Sequence, residues 1–204
     1  MKINKKKFIY LISPNKITAQ FYQNLRKDLK TTKISFFQMR FKKYSLKKQI
    51  LIGKKIKIIC KKYDVKFLIN DDPILAKKLN SDGCHLGQND MEITQARKII
   101  GNKIIGVTCH NSIKLAKTAL KANASYIAFG AFFSTKTKKT KFKATAKTLN
   151  KEKKLTKTPI VAIGGINSIN YKKLLLNKDN FLAISSYVWN NKKYKPSEAI
   201  EKLK

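Results

Sequence analysis

Two cations alternate with apolar residues in the segment QMRFK, residues 38–42. Side chains of an extended chain point to alternate faces, so Gln38, Arg40 and Lys42 lie on one side and the apolar residues between them on the other. Burying unpaired charge costs several kcal/mol even after the surroundings relax. This row of side chains therefore requires either water or an anion.

Acidic side chains are scarce, 11 against 46 lysines and arginines, and five of them fall in one short stretch. These five are Asp71, Asp72, Asp82, Asp90 and Glu92. Asp71 and Asp90 follow neighbouring apolar runs and supply hard oxygen ligands, which Mg²⁺ accepts together with water and phosphate oxygens. Helix capping is an equally good explanation, because Asp71 or Asp72 could cap the next helix and Asp90 the one after it. The residue types alone leave this choice open.

Eight short apolar runs rich in Ile, Val and Phe alternate with segments of helical spacing. The runs cover residues 8–13, 33–39, 66–70, 83–87, 103–108, 125–130, 159–165 and 181–186. Strands buried on both faces and alternating with helices favour a parallel sheet. Eight such units predict an α/β fold consisting of a single (β/α)8 TIM barrel over residues 1–204. An open doubly wound sheet is the alternative, although it normally has fewer strands and a glycine-rich first turn.

In a barrel, polar residues at the carboxyl ends of different strands meet at one mouth. The residues expected there are Gln38, Arg40, Lys42, Asn70, Asp71, Gln88, Asp90, Thr108, His110, residues 134–138, Gly164, Gly165, Ser185 and Ser186. The ends of the last two runs occupy the place where barrels commonly bind phosphate through backbone N–H groups. Together with the cationic row, this predicts two anionic groups at different sides of the mouth and favours a two-substrate transferase.

The formal net charge of +35 suggests nucleic-acid binding, because clustered cations neutralise phosphates. However, only three residues are arginine, the side chain preferred for bidentate contacts to phosphates and bases, and the lysines are spread along the whole chain. We therefore expect no specific nucleic-acid partner and interpret the lysines as a solvated surface. No apolar stretch approaches membrane-spanning length, so we expect no membrane partner either.

The three cysteines, Cys60, Cys84 and Cys109, are odd in number and have no C-x-x-C spacing. This argues against a disulfide framework and indicates a reducing, cytoplasmic location. Cys84-His85 and Cys109-His110 form two doublets, but consecutive strand residues point to opposite faces, which makes a four-ligand zinc site sterically awkward. A helper role near the site or a structural role in the core is open for both histidines.

Eight motifs follow one another along the chain: FIYLISP (8–14), QMRFK (38–42), FLINDDPILA (67–76), SDGCHLGQNDM (81–91), IGVTCHNS (105–112), ASYIAFGAFFSTKTK (124–138), PIVAIGGI (159–166) and FLAISSYVW (181–189). In this order they resemble the barrel-type thiamine-phosphate synthase family over nearly the whole chain. Each motif is weak alone, whereas their order is highly specific. The resemblance implies an enzyme that joins hydroxymethylpyrimidine diphosphate to a hydroxyethylthiazole phosphate, carboxylated or plain, releasing pyrophosphate.

The resemblance also implies roles for individual residues. It implies Mg²⁺ held by Asp71 and Asp90, and three catalytic cations that assist the departing diphosphate, Arg40, Lys42 and Lys138. The residues implied for the pyrimidine diphosphate are Gln38, Arg40, Lys42, Asn70, Thr108 and Lys138. Those implied for the thiazole phosphate are Thr135, Lys136, Thr137, Gly165, Ile184 and Ser185.

Three positions depart from the pattern of this family. Thr108 stands where serine is common, Ser134 replaces a proline before T-x-T-K, and Ala131 stands where many members have proline. None of these changes removes a charged group. Two alternatives to a synthase are a thiazole tautomerase of the same fold, which has no diphosphate to bind, and a basic binding protein that has kept the barrel without catalysis.

Overall fold

The computed structural model is a closed barrel of eight parallel strands in the order of the chain. It describes residues 7–135, 142–145, 149, 156–175 and 180–203. The predicted (β/α)8 fold is confirmed. The strands are β1 Ile9–Ile12, β2 Ile34–Met39, β3 Lys66–Asn70, β4 Gly83–Leu86, β5 Ile104–His110, β6 Tyr126–Gly130, β7 Ile160–Ile163 and β8 Asn180–Ile184.

Helices follow most of the strands on the outside of the barrel. They are α1 Phe21–Lys30, α2 Leu46–Lys62, α3 Pro73–Leu79, α4 Ile93–Ile100, α5 Ile113–Lys121, α6 Ser186–Trp189, α7 Pro196–Glu201 and a 3₁₀ helix Tyr171–Leu174. Among the described residues, no helix has the length and apolar character needed to cross a membrane.

Pairing between the first and last strands closes the barrel. Tyr10 of β1 pairs with Phe36 on one side and with Ala183 of β8 on the other. Because every pairing is parallel, the carboxyl ends of all eight strands lie at the same rim. Polar residues that are far apart in the sequence are thereby brought to one mouth.

Alternation along the strands divides the apolar residues between two layers. The larger cluster lies between the strands and the helices and includes Phe37, Met39 and Phe41. A smaller cluster fills the barrel interior and includes Tyr10 and Tyr126. The face of β2 opposite to the outer layer therefore points into the barrel, as the alternation in the sequence predicts.

Several of the predicted strand boundaries differ from those in the structure by one or two residues. The seventh strand ends at Ile163 and not at Gly165, because Gly164 and Gly165 have φ of 107° and 63° and turn the chain out of the sheet. The fifth strand continues beyond Thr108 to His110. Between β7 and β8 the described residues form only the short 3₁₀ helix Tyr171–Leu174.

One carboxyl group is buried in the helical layer, away from the barrel mouth. Asp28 lies on the buried face of α1, and neither of its carboxyl oxygens has a hydrogen-bond partner among the described residues. Burial raises the pKa of Asp28 to about 8. Since an ionised carboxylate at this position would lose its hydration without compensation, the folded protein favours the protonated form.

We expect Asp28 to make the free energy of unfolding depend on pH. The pKa of about 8 in the folded protein lies above that of the unfolded chain, about 4. The stabilising contribution is therefore fully present below about pH 4 and is lost as the pH rises to about 8, by at most about 1.4 kcal/mol per pH unit. Urea unfolding of wild type and Asp28→Asn across this range should show a loss of stability with rising pH that is steeper in the wild type than in the variant. An equal slope in both proteins would contradict this account.

Candidate active site at the mouth of the barrel

A cavity of about 860 Å³ opens at the carboxyl ends of the strands. Eleven of the residues that the family resemblance assigned to the substrates and the metal line it: Gln38, Arg40, Lys42, Asn70, Asp71, Asp90, Thr108, Thr135, Gly165, Ile184 and Ser185. Three other predicted site residues, Lys136, Thr137 and Lys138, lie outside the described residues. The structure thus brings together every described residue that was assigned to the substrates or the metal, whereas Ser134, which was also expected at the mouth, does not line the cavity.

The cationic row begins where β2 ends. β2 ends at Met39, and the backbone N–H of Arg40 donates to Ser13 Oγ at 2.9 Å, which ties the segment to the first strand's loop. Phe41 is buried in the outer layer, so its neighbours Arg40 and Lys42 face the cavity. Lys42 Nζ lies 2.6 Å from Asp71 Oδ2, whereas the Arg40 guanidinium makes no hydrogen bond or ion pair with the described residues. Arg40 is therefore available to an anion in the cavity.

Asp71 is not the cap of the helix that follows it. Asp72 caps α3, since its Oδ1 accepts a hydrogen bond from the Leu75 N–H at 2.8 Å. Asp71 has a left-handed backbone, with φ of 63°, and its N–H donates to the carbonyl oxygen of His85 at 2.8 Å. This conformation leaves the Asp71 side chain at the cavity, paired with Lys42.

Asp90 does not cap a helix either. The residue that precedes α4 is Glu92, and it makes no side-chain capping bond. Asp90 Oδ2 instead accepts a hydrogen bond from the Gly87 N–H at 2.6 Å, which folds the loop after β4 back on itself. Of the two explanations that the sequence left open, capping is excluded for both Asp71 and Asp90.

The carboxyl groups of Asp71 and Asp90 interact directly, and their pKa values move apart. Burial raises the pKa of Asp71, but hydrogen bonds from Lys42 and Asp90 and the positive charge of Lys42 act in the opposite direction, and the net shift is downward. For Asp90, burial and the adjacent Asp71 raise the pKa in spite of the Gly87 N–H. Two carboxyl groups in contact cannot both ionise easily unless a cation lies between them.

This donor set fits a hard divalent cation that also binds substrate. Mg²⁺ typically binds proteins through one or two carboxylates and completes its coordination with water and phosphate oxygens. The described residues contain no cluster of three or more His, Cys, Asp or Glu side chains suited to a metal. Asp71 and Asp90 could therefore hold Mg²⁺ only together with water or a ligand, as a phosphate-bearing substrate would allow.

A chain of hydrogen bonds forms the floor of the cavity. The Gln38 side-chain amide donates to Asn70 Oδ1, and the Tyr10 hydroxyl donates to Gln38 Oε1 at 2.8 Å. From Tyr10 the chain continues through Tyr126, the His85 ring and Thr108 Oγ1, with 2.8 Å at each step. The sequence reasoning missed both tyrosines, although each occupies an inward-facing strand position, which could have drawn attention to them.

Gly106 makes room for this arrangement. A Cβ atom at position 106 of β5 would lie 1.8 Å from Cζ of Tyr126, so the tyrosine ring packs over the bare backbone of the glycine. The ring then reaches His85, with which it stacks at a centroid distance of 5.7 Å. A glycine within a strand often marks such a close approach.

The opposite side of the mouth is formed by glycine turns. A Cβ at Gly165 would lie 2.3 Å from the backbone oxygen of Ser134, so the loops after β6 and β7 are in close contact. Ser185 Oγ donates to the carbonyl oxygen of Ser13 at 3.3 Å. Ile184 is buried in the outer layer, so it can offer a ligand its backbone but not its side chain.

The cysteines are separated from the cavity. Cys84 and Cys109 are buried in the outer layer, whereas His85 and His110 border the cavity. Burial raises the pKa of the Cys84 thiol to about 12, which disfavours the thiolate that binds metals. Alternation along the strands thus separates the two types of zinc ligand, as expected, and none of the three cysteines forms a disulfide. The cytoplasmic location inferred from them stays a prediction.

Comparison with known proteins connects this cavity to one family. The family model described as thiamine monophosphate synthase matches residues 9–188. The chain belongs to this family. The resemblance found in the motifs is therefore confirmed.

Individual relatives agree with this assignment. The chain is similar to the thiamine-phosphate synthase of Pelagibacter ubique, with 66% identity and 100% of both chains covered. It is 39% identical to that of Erythrobacter litoralis, covering 89% of this chain and 88% of the other. Among solved structures it matches a thiamine phosphate pyrophosphorylase from Pyrococcus furiosus with a TM-score of 0.85 and 30% identity, covering 98% of this chain and 94% of that chain.

The structure also shows the contacts made by two of the residues that depart from the family pattern. The Thr108 hydroxyl is hydrogen-bonded to the His85 ring, so the group that it shares with serine is in use. The Ala131 N–H donates to the carbonyl oxygen of Phe142 at 3.2 Å, a bond that a proline at this position could not make.

Gly106→Ala should destabilise the barrel through Tyr126. The added Cβ would overlap Tyr126 Cζ at 1.8 Å, and overpacking of a core costs about 1–3 kcal/mol. Urea unfolding measures this loss. Gly53→Ala in α2 is the matched control, because its Cβ would meet only the end of the flexible Leu79 side chain and alanine favours a helix. Equal stability of the two variants would show that the packing at Gly106 is not tight.

Proposed function

We propose that this protein is a thiamine-phosphate synthase that uses Mg²⁺ to join hydroxymethylpyrimidine diphosphate to hydroxyethylthiazole phosphate. The observation that carries the proposal is that Arg40, Lys42, Asp71 and Asp90 lie together at the rim of the barrel, in a chain that belongs to the synthase family. Two cations and two interacting carboxylates suit a diphosphate that arrives with a divalent metal. Membership of the synthase family supplies the substrate class.

The reaction breaks one bond and forms another. The bond between the pyrimidine methylene carbon and the diphosphate oxygen breaks, and the electron pair leaves with the diphosphate. The thiazole nitrogen then donates its lone pair to the methylene carbon, which gives the positively charged thiazolium of thiamine phosphate. The pyrimidine's own amino group stabilises the intermediate cation, so the protein needs no nucleophile.

The protein contributes charge and alignment. Arg40 and Lys42 stabilise the negative charge that grows on the departing diphosphate, and Lys138 is proposed to add a third cation. Asn70, Gln38 and Thr108 hold the pyrimidine at the floor of the cavity, where their side chains are already joined in one hydrogen-bond chain. Holding two reactants in a fixed orientation removes much of the entropic cost of their encounter.

The metal would be held by Asp71 and Asp90. When bound, Mg²⁺ supplies positive charge to the oxygens of the diphosphate. The Asp71 N–H donates to the His85 carbonyl oxygen, and the Asp90 carboxylate accepts from the Gly87 N–H, so the loops hold both residues in place before any ligand arrives.

The thiazole phosphate is assigned to the opposite side of the mouth. Gly165 and Ile184 offer backbone groups there, and Ser185 offers a hydroxyl. Thr135 lines the same cavity, and Lys136 and Thr137 follow it in the chain. The cavity volume of about 860 Å³ accommodates two small substrates side by side.

The alternatives leave part of this arrangement without a role. A thiazole tautomerase binds no diphosphate and has no use for two carboxylates beside Arg40 and Lys42. A basic binding protein without catalysis needs no inward-facing polar floor. The lysines are also spread along the whole sequence and are not confined to the cavity.

Substitution of the carboxylates tests the synthase assignment. With Mg²⁺ and both substrates, the wild type should produce thiamine phosphate, and Asp90→Ala or Lys138→Ala should lower kcat by about 100-fold or more. Asp71→Asn should behave in the same way, because an amide is a poorer Mg²⁺ ligand. Asp72→Asn is the control, since asparagine caps helices as well as aspartate.

Two outcomes would count against the proposal. Unchanged turnover in the Asp90 and Lys138 variants would remove the site assignment. Absence of turnover in the wild type, together with retention on heparin that persists near physiological salt, would favour the basic binding protein.

Pyrophosphate binding tests the cationic rim separately. Calorimetry should show that pyrophosphate binds in the presence of Mg²⁺ and at least about tenfold more weakly after chelation of the metal. Lys42→Met should weaken binding, whereas Lys43→Met, a change at an exposed neighbouring lysine that does not line the main cavity, should not. Equal affinity of the two lysine variants would mean that attraction is a property of the overall positive charge.

A further inference from the structure

The hydrogen-bond chain in the cavity floor has a defined direction. It runs from Gln38 through Tyr10, Tyr126 and His85 to Thr108. Each tyrosine hydroxyl has one proton to donate, and a side-chain carbonyl oxygen can only accept. Once the first donor is fixed, the direction of every later bond follows.

The direction is set at Gln38. Its amide nitrogen donates to Asn70 Oδ1, so its carbonyl oxygen accepts the proton of Tyr10. Tyr10 has then used its only proton and can take part in the next bond only as the acceptor. The bond of 2.8 Å to Tyr126 is therefore donated by the Tyr126 hydroxyl.

The same count continues through the imidazole ring. Tyr126 has given its proton to Tyr10, so at 2.8 Å from His85 Nδ1 it accepts, and Nδ1 carries the hydrogen. In a neutral ring Nε2 then has a lone pair, which accepts the proton of Thr108 Oγ1 at 2.8 Å. Thr108 thus presents oxygen lone pairs to the cavity, whereas the Asn70 amide presents N–H groups.

We infer that Tyr10, Tyr126 and His85 are positioning residues that set the donor and acceptor pattern of the pyrimidine site and thereby select a 4-aminopyrimidine over a 4-oxopyrimidine. This inference rests on the proposed function for the identity of the ligand. An aminopyrimidine edge offers an exocyclic N–H beside a ring nitrogen acceptor, which complements Thr108 and Asn70. A 4-oxopyrimidine has a carbonyl oxygen beside a ring N–H and meets the reverse pattern at both positions.

Burial and packing of the two tyrosines maintain this direction of the hydrogen-bond chain. Tyr10 and Tyr126 are fully buried, and burial raises the pKa of both hydroxyls, so they stay protonated. Phe36 packs against both rings, at centroid distances of 5.4 and 5.9 Å. A buried hydroxyl without a partner is costly, so each bond in the chain restrains the next.

The tautomer of His85 is the direct test of the direction. The protein has only two histidines, so ¹⁵N spectra of the unliganded wild type and of His110→Gln assign both rings. From the count of donors and acceptors, we expect a hydrogen on Nδ1 of His85 and a lone pair on Nε2. A hydrogen on Nε2, or on both nitrogens near neutral pH, would overturn the inference, because Thr108 would then accept from the ring and turn its own proton away from it.

The preference for a 4-aminopyrimidine over a 4-oxopyrimidine can be measured directly. Calorimetry with 4-amino-5-hydroxymethyl-2-methylpyrimidine and with its 4-oxo analogue should give a preference for the amino compound of about 100-fold or more in the wild type. Tyr126→Phe removes the acceptor of the Nδ1 hydrogen, so this preference should fall at least tenfold while pyrophosphate affinity with Mg²⁺ stays unchanged. Thr108→Ser, which keeps the hydroxyl, should retain the preference.

Tyr187→Phe is the matched control for the loss of a tyrosine hydroxyl. The Tyr187 hydroxyl is buried and has no hydrogen-bond partner among the described residues, so this variant should keep both the tautomer and the preference. A preference that is the same in wild type and Tyr126→Phe would overturn the inference. Absence of turnover in the wild type would refute the proposed function, whereas the tautomer would still be measurable and would still decide the direction of the chain.

Discussion

Closure of the parallel sheet is the constraint on which the site depends. The pairing of β1 with β8 converts a row of strands into a ring, so residues from positions 12 to 186 of the chain border one cavity. Neither the cationic rim nor the carboxylate pair is a local structure. Each is assembled from loops that follow different strands, and hydrogen bonds such as that from Arg40 N–H to Ser13 hold those loops in register.

Charge at the rim is organised in pairs, which explains how a strongly basic protein can contain an acidic site. Lys42 lies against Asp71, and Asp71 in turn contacts Asp90. Arg40 has no such partner among the described residues. The rim thus carries two interacting carboxyl groups and a guanidinium without a partner among the described residues, a combination that supports the proposed binding of a metal-bound anion.

The sequence was most informative where alternation along a strand decides the outcome. It predicted the eight strands, the inward direction of Gln38 and the separation of Cys84 from His85. It could not decide between metal binding and capping for Asp71, because both roles need a carboxylate at the start of a helix. Only the backbone conformation, with Asp72 making the capping bond, separates them. Tyr10 and Tyr126 were overlooked because the sequence does not show which group their hydroxyls contact. Without that information, a tyrosine in an apolar strand is taken for an ordinary core residue.

Gly106 of β5 and Tyr126 of the neighbouring strand β6 can pack together because the glycine has no side chain. The space that the phenol ring occupies is the space that a methyl group on β5 would take. In the course of divergence, a larger residue can become established at position 106 only in a lineage that has already reduced residue 126. Residues 106 and 126 should therefore covary among related sequences, more strongly than either covaries with its neighbours in the chain.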